Sequence, residues 1–150
     1  MKDHELRQEA IRLLARREHT RAELARKLAS LGTREEIDLV LAEMEASQLQ
    51  SDSRTAESWL RGNAARLGGS RLRHSLKSRG LAPELIEEQI AQADLPDEME
   101  RARAIWSRKF SAAPGNAKDW ARQARFLQSR GFSGDVVRRL LKEPREEEQA

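Results

Sequence analysis

The chain has 150 residues, of which 28 are Lys or Arg and 25 are Asp or Glu, giving a formal net charge of +3. It contains no cysteine, which excludes disulfides, thiol nucleophiles and thiolate metal sites. Charged residues make up 35% of the chain and aromatic residues 4%, which is typical of an extended helical protein with much solvated surface. A net charge this small does not by itself indicate nucleic acid as a partner.

The first predicted unit covers residues 1–50 and contains three helices. Apolar residues from Leu6 to Leu14 recur at helical spacing and predict the first of them. Two capping boxes, each a threonine followed three residues later by a glutamate, predict the starts of the second and third helices. Gly32 is predicted to end the second helix in a left-handed turn. The capping boxes are Thr20 with Glu23 and Thr33 with Glu36.

The second predicted unit covers residues 51–96. The Gly-Gly-Ser run at 68–70 predicts a break between its first two helices, and Ser70 is predicted to cap the helix that follows. Gly80 is placed to end that helix. Pro83 then suits the first turn of the closing helix, where a missing N–H costs nothing.

The third predicted unit covers residues 97–143. Its opening helix is followed by a loop at 111–116, where a Pro-Gly pair indicates a turn. Gly131 is predicted to end the middle helix, and Ser133 to cap the last one. Residues 144–150 form a polar tail, which we expect to be frayed.

The three units share one pattern, in which a leucine precedes a helix-ending glycine by four residues and an apolar pair follows it. The glycines are Gly32, Gly80 and Gly131, separated by 48 and 51 residues. Recurrence at this period predicts an all-α fold of three tandem three-helix repeats. No stretch alternates apolar and polar residues as a strand would. Such a protein is expected to present a surface to a partner.

Catalytic and metal chemistry find no support in the sequence. None of His4, His19 and His74 has a second histidine or a cysteine at ligand spacing, so we expect no metal site. Serines lack a partnering His and acid, and the glycine run at 68–70 lacks the ending of a phosphate-binding loop. We therefore expect neither an enzyme nor a cofactor. The charged N-terminus and the short apolar runs predict no signal peptide, no membrane segment and a cytoplasmic location.

Charge is segregated along the chain. Residues 61–80 carry six cations and no carboxylate, residues 84–100 are acidic without Lys or Arg, and residues 35–52 are also acidic. One interpretation is solvated helix faces whose charges pair with their neighbours. The other is a surface for a polyanion or an acidic partner, since arginine suits bidentate contacts to phosphate or carboxylate. The predicted binding residues, named here the basic track, are Arg61, Arg66, Arg71, Arg73, Lys77, Arg79, Lys118, Arg122, Arg125, Arg130, Arg138 and Arg139.

Several segments, in their order and spacing, carry a family resemblance. They are residues 21–28 (RAELARKL), 52–57 (DSRTAE), 71–73 (RLR) and 125–132 (RFLQSRGF). On these segments the chain resembles the RecX family of regulatory proteins, which modulate the RecA recombinase. Thr55 departs from the pattern, because the family usually carries an aromatic residue there.

The resemblance implies an elongated, curved arrangement of the three repeats and a regulatory function in recombination and DNA repair. Family members are expected to bind the RecA–DNA filament and to restrain its ATP hydrolysis and strand exchange. Direct binding to single- and double-stranded DNA is expected to be weaker or secondary, and the protein is expected to act as a monomer without a membrane partner.

Two other classes of function stay open at this point. A stand-alone helical DNA-binding module is suggested by the helix pairs joined at the repeated glycines, although only the helix after Gly131 is basic enough for a recognition helix. A structural scaffold for helical peptides is the other, and it predicts no salt-sensitive binding to polyanions.

Overall fold

The computed structural model describes residues 2–142, so the predicted polar tail lies outside the described residues. Within this range the chain forms α-helices, turns and a short 3₁₀ turn at Ala64–Arg66, without a strand, which confirms the all-α prediction. None of the helices in the described range is long and apolar enough to span a membrane. The helices are α1 (Lys2–Arg16), α2 (Arg21–Leu28), α3 (Arg34–Ala46), α4 (Asp52–Asn63), α5 (Gly69–Ser78), α6 (Pro83–Gln92), α7 (Glu98–Lys109), α8 (Ala117–Ser129) and α9 (Gly134–Lys142).

These helices follow one another in three sets of three, as the repeat predicts, while the chain divides into two compact units. The first unit holds the described parts of Met1–Leu60 and Ser75–Ala93. The second unit holds Arg61–His74 and the described part of Asp94–Ala150. The chain passes from one unit to the other within α4, within α5 and after the end of α6. The exact repeat boundaries stay a prediction.

The core of the first unit is built by one apolar face from each of α1, α2 and α3. These side chains recur every three or four residues, so each helix buries a continuous stripe and leaves its charged residues in water. Each buried leucine contributes about 2 kcal/mol of transfer free energy. The buried residues are Leu6, Ala10, Leu13, Leu24, Leu28, Ile37, Val40, Leu41 and Met44.

Both predicted capping boxes are confirmed. The Glu23 backbone N–H donates to Thr20 Oγ1 over 3.0 Å, and the Thr20 N–H donates to Glu23 Oε1 over 3.0 Å. The corresponding distances are 3.2 Å and 2.8 Å between Thr33 and Glu36. The two capping boxes therefore satisfy four backbone N–H groups that have no hydrogen-bond partner within the helices.

The prediction of a left-handed turn is wrong for Gly32 and confirmed for Gly80 and Gly131, which have φ of 89° and 92°. At Gly80 and at Gly131, two backbone hydrogen bonds, one from the glycine N–H and one from the N–H of the next residue, close the helix end in a Schellman motif. At the end of α2 the N–H of Leu31 instead donates to the carbonyl of Leu28 over 2.9 Å. This tighter turn takes the chain past the helix end, so Gly32 needs no positive φ.

At the starts of α5, α6 and α9, the structure contradicts one prediction and confirms two. Ser70 is not the cap of α5, because that helix already begins at Gly69. The Gly69 N–H donates to Glu98 Oε1 over 3.1 Å, so a distant carboxylate serves this helix start. Pro83 occupies the first turn of α6, and Ser133 Oγ accepts the first-turn N–H of α9 over 3.2 Å.

The core of the second unit is formed by α7, α8 and α9. Trp106 is 2% exposed, and its indole N–H donates to Gln123 Oε1 over 2.6 Å, which satisfies the polar edge of a buried aromatic side chain. Gln123 in turn donates to the carbonyl of Ala112 over 3.2 Å. The buried apolar residues are Ala102, Trp106, Ala124, Leu127, Phe132, Val136, Val137, Leu140 and Leu141.

A buried histidine stabilises the turn before α2 in the first unit. His19 is 1% exposed, with Nδ1 3.0 Å from the Arg17 carbonyl and Nε2 3.0 Å from Lys27 Nζ. Since a carbonyl only accepts and an ammonium only donates, these partners require a neutral ring with its hydrogen on Nδ1. The His19 carbonyl accepts from the hydroxyl of buried Thr55 over 3.0 Å, which gives that family departure a structural role.

Stability is expected to fall when the solution is acidified. Burial lowers the pKa of His19 below its ordinary value of 6.5, and the neighbouring charges of Arg17 and Lys27 lower it further. Below 6.5 the unfolded chain binds a proton that the folded chain does not, so the free energy of unfolding decreases until the lower folded pKa is passed. Thermal melts between about pH 7 and about pH 5 measure this loss. His19→Gln should flatten the pH dependence, and an equal slope in both proteins would contradict the assignment.

Candidate functional site

The basic track divides unequally between the two compact units. Lys77 and Arg79 belong to the first unit, and the other ten cations belong to the second. Arg79 is half-buried, whereas the remaining eleven side chains are exposed. Those in the second unit are Arg61, Arg66, Arg71, Arg73, Lys118, Arg122, Arg125, Arg130, Arg138 and Arg139.

Three of these cations are brought together where the glycine break meets the end of α8. The Gly68 N–H donates to the Arg130 carbonyl over 2.8 Å, and the Ser70 N–H donates to the Gly131 carbonyl over 3.2 Å. Arg71 Nη1 donates to the Ser129 carbonyl over 3.3 Å. Backbone docking of two loops therefore collects residues that lie far apart in sequence. We name them the basic cluster: Arg66, Arg71 and Arg130.

A groove of about 460 Å³ lies beside the basic cluster, between the 3₁₀ turn, α7 and α8. Arg66 and Arg130 line it together with Arg108 and Lys109 from the last turn of α7. Its remaining lining is apolar, and no carboxylate is among the lining residues of this part of the described chain. The apolar residues are Ala65, Ala104, Ile105 and Phe126.

Sequence reasoning missed Arg108 and Lys109. The segment that forms α7 carries charges of both signs, with Glu98 and Glu100 in its first turn, so its net charge does not mark it as basic. Helical spacing is the signal in the sequence from which these two residues could have been found. Residues 104, 105, 108 and 109 share one face of a helix, which combines an apolar strip with two cations.

The rest of the basic track in the second unit lies on four helices: Arg61 on α4, Arg73 on α5, and the remaining five residues on α8 and α9. Arg122 is 3.8 Å from Asp119 on the same helix, and its guanidinium is 5.5 Å from the ring centroid of Phe110. Arg139 is 3.7 Å from Asp135, also one turn away. Exposed pairs of this kind are worth a few tenths of a kcal/mol, or about 0.5 at most, and leave the side chains available to a stronger anionic partner.

In the first unit, several charges are used within the fold. Arg79 Nη1 is 3.3 Å from Glu23 Oε2, and its guanidinium is 5.9 Å from the ring centroid of Trp59. On acidic α3, Glu43 pairs with Arg7 over 2.9 Å and Glu45 pairs with Arg21 over 3.2 Å. Pairing between neighbouring helices therefore accounts for these carboxylates and for Arg79.

A buried arginine anchors the loop that carries the glycine break. Arg101 is 8% exposed, and it donates to the Leu67 carbonyl over 3.1 Å and the Pro96 carbonyl over 2.7 Å. Burial lowers the pKa of Arg101, while nearby Glu98 and Asp97 oppose that shift. This cation is structural, and it fixes the chain from which Arg66 projects.

The chemistry of this surface is that of anion recognition. Guanidinium groups dominate it, and each presents a planar fork that matches phosphate or carboxylate oxygens. Among the side chains that the structure describes, those of residues 4–142, no group of three or more His, Asp or Glu is arranged to hold a metal ion. The side chains described here could bind and orient an anionic polymer or an acidic protein surface.

Fold and surface together define a class of protein: tandem three-helix domains whose exposed basic-track cations are concentrated in one compact unit. The model of the first three-helix domain of RecX matches residues 7–44, that of the second matches residues 51–89, and that of the third matches residues 96–141. The chain belongs to the RecX family.

Relatives support this membership over nearly the whole chain. The chain is similar to the regulatory protein RecX of Leptothrix cholodnii, with 44% identity over 91% of this chain and 87% of the relative. It is 40% identical to the regulatory protein RecX of Herminiimonas arsenicoxydans, over 95% of both chains.

A solved structure shares the fold at lower sequence identity. The crystal structure of RecX from Lactobacillus salivarius superposes with a TM-score of 0.79 and 20% identity, covering 94% of this chain and 95% of that one. The likeness concerns the helical fold.

Proposed function

We propose that the protein binds the filament that RecA forms on DNA and restrains its ATP hydrolysis and strand exchange, thereby modulating recombination and DNA repair. Membership of the RecX family supports the regulatory role. The observation that carries the proposal is the concentration of ten exposed basic-track cations in one unit. A nucleoprotein filament offers phosphates and acidic protein surface along its length, which matches such a face.

Restraint of ATP hydrolysis follows if one molecule contacts more than one recombinase subunit. Nucleotide turnover changes the relative positions of neighbouring subunits. A bound protein that has a higher affinity for one arrangement of the subunits opposes the change, by the difference between its binding free energies for the two arrangements. Cations that face phosphate or acidic patches would supply that affinity. In this proposal the protein acts as a monomer in the cytoplasm, and direct DNA contacts add a secondary share of the binding.

The test of this function is a coupled ATPase assay of RecA on circular single-stranded DNA, with the full chain titrated in. Hydrolysis should fall in a saturable way as the protein is added, and strand exchange should slow in parallel. Unchanged hydrolysis at a saturating excess would contradict the proposal.

A second candidate, a stand-alone DNA-binding module, is favoured by the arrangement of α9. Its apolar residues are buried, while Arg138, Arg139 and Lys142 are exposed along the other side. This candidate predicts sequence-selective binding to duplex DNA without recombinase and no effect on ATP hydrolysis. Any phosphate contacts would lower the logarithm of the duplex association constant by about 0.9 per contact for each tenfold rise in salt.

A further inference from the structure

The groove beside the basic cluster has an apolar floor that is open to solvent. Ala65 and Ala104 are exposed, and Ile105 and Phe126 are half-buried because their inner sides pack on the core of the second unit. An open apolar surface of this kind favours a ligand that brings apolar groups of its own. The volume of about 460 Å³ falls in the range of roughly 300–1,000 Å³ that is common for ligand sites.

The rim of the groove is cationic on both sides. Arg108 and Lys109 stand on α7, and Arg66 and Arg130 stand on the 3₁₀ turn and at the end of α8. No lining residue in this described region carries a carboxylate to neutralise them. A ligand that fits must therefore combine an apolar strip with negative charge along both edges, which is the pattern of an acidic amphipathic helix.

We propose that this groove binds an acidic amphipathic segment of a partner protein. Its apolar side chains, one helical turn apart, would cover Ala104 and Ile105, and its Asp and Glu side chains would pair with the rim guanidinium groups. The inference deepens the proposed function, on which it rests for the identity of the partner, by giving the chemistry of one contact surface.

The surroundings of Phe126 favour a peptide over a nucleic acid. Lys109 Nζ lies 5.6 Å and the Arg130 guanidinium 5.1 Å from the centroid of this ring, and Phe110 packs edge-on against it at 5.5 Å. A base stacked on the ring would have to displace one of these cations. A carboxylate can pair with Arg130 while the guanidinium stays where it is.

The test uses fluorescence anisotropy with the full chain and a labelled synthetic peptide of about 20 residues, with Leu at helical spacing and Glu between. Matched peptides carry Lys in place of Glu, or Ser in place of Leu. We expect binding of the first peptide alone. Absence of binding up to about 1 mM, or equal binding of either matched peptide, would overturn the proposal.

Two variants place a carboxylate in the groove, and each has a control in the same unit. Ala104→Glu acts on the floor and Arg108→Glu on the rim, and each is expected to weaken peptide binding about 10-fold or more. The controls are Ala117→Glu on α8 and Lys142→Glu at the end of α9, at exposed positions that are not among the lining residues. They should bind within about 2-fold of the original chain. Circular dichroism verifies that all four variants are folded.

The remaining outcomes are decisive as well. Equal weakening in variants and controls would mean diffuse charge attraction and would overturn the proposal. Displacement of the peptide by an oligo-dT strand would also overturn the proposal, because it would identify nucleic acid as the occupant of the groove. Self-association of the chain that Ala104→Glu abolishes would overturn it as well, because the occupant would then be a second copy of this chain. If Ala104→Glu loses the peptide yet inhibits RecA fully, the groove proposal fails and the function stands. If the original chain binds the peptide but leaves RecA unaffected, the function fails and the groove stands.

Discussion

Gly68→Ala is expected to lower the free energy of unfolding by about 3 kcal/mol or more. A Cβ at this position would lie 2.4 Å from the Gly131 carbonyl oxygen and 2.6 Å from the Phe132 backbone nitrogen. Backbone atoms cannot rotate away as a flexible side chain can, so the two loops must separate. That movement would break the 2.8 Å hydrogen bond from Gly68 to the Arg130 carbonyl.

Gly62→Ala is the matched control, because the same methyl group there meets nothing within 4 Å. Gly62 lies inside α4, so alanine should raise the free energy of unfolding by about 0.5 kcal/mol. Urea denaturation followed by circular dichroism measures both changes. Equal midpoints for Gly68→Ala and the original chain would contradict the close approach described here.

Gly68→Ala should also impair binding, since the docked loops hold the basic cluster together. A loss of filament affinity in the folded fraction of this variant would show that the glycine break is needed for binding by the basic cluster. The glycine break would then matter to the function through backbone geometry.

Reversal of three basic-track charges is expected to weaken filament binding about 100-fold. The variant carries Arg71→Glu, Arg125→Glu and Arg138→Glu, which lie on α5, α8 and α9 of the second unit. Each reversal removes an attraction and adds a repulsion, worth on the order of 1 kcal/mol at a solvated contact. Binding is measured by anisotropy of the labelled chain against RecA assembled on single-stranded DNA, at several salt concentrations.

Net charge alone would also change filament binding, so the control reverses three exposed cations of the first unit. Arg16→Glu, Arg26→Glu and Arg34→Glu change the net charge by the same amount. The control should retain most of the affinity and salt dependence. Equal losses in the two variants would show that the basic track is not the contact surface.

Local sequence signals predicted much of the fold because they act over a few residues. The Thr20–Glu23 and Thr33–Glu36 boxes need only one helical turn, and the apolar periodicity needs only one helix. Gly80 and Gly131 were predictable as helix ends for the same reason.

The features that escaped prediction depend on residues distant in the chain or on backbone detail. Gly69 receives its capping carboxylate from Glu98, which sequence spacing cannot indicate. Gln48 adopts a φ of 64° at the end of α3, where a glycine would be expected.

For the candidate site, the sequence indicated a set of cations, eleven of which are exposed, but not how they group. Arg66, Arg71 and Arg130 come together only because the glycine break docks on the end of α8. Arg108 joins them through the packing of α7 beside α8. Tertiary contacts determine both the grouping of these arginines and the position of Arg108. The distribution of charge along the sequence carries no information about such contacts.

Co-sedimentation with RecA filaments on single-stranded DNA tests the central claim most directly. If the cationic second unit grips the filament, the chain should enter the pellet saturably, and the variant reversed at Arg71, Arg125 and Arg138 should stay in the supernatant. Recovery of the unmodified chain in the supernatant at every filament concentration, under low salt, would contradict the account.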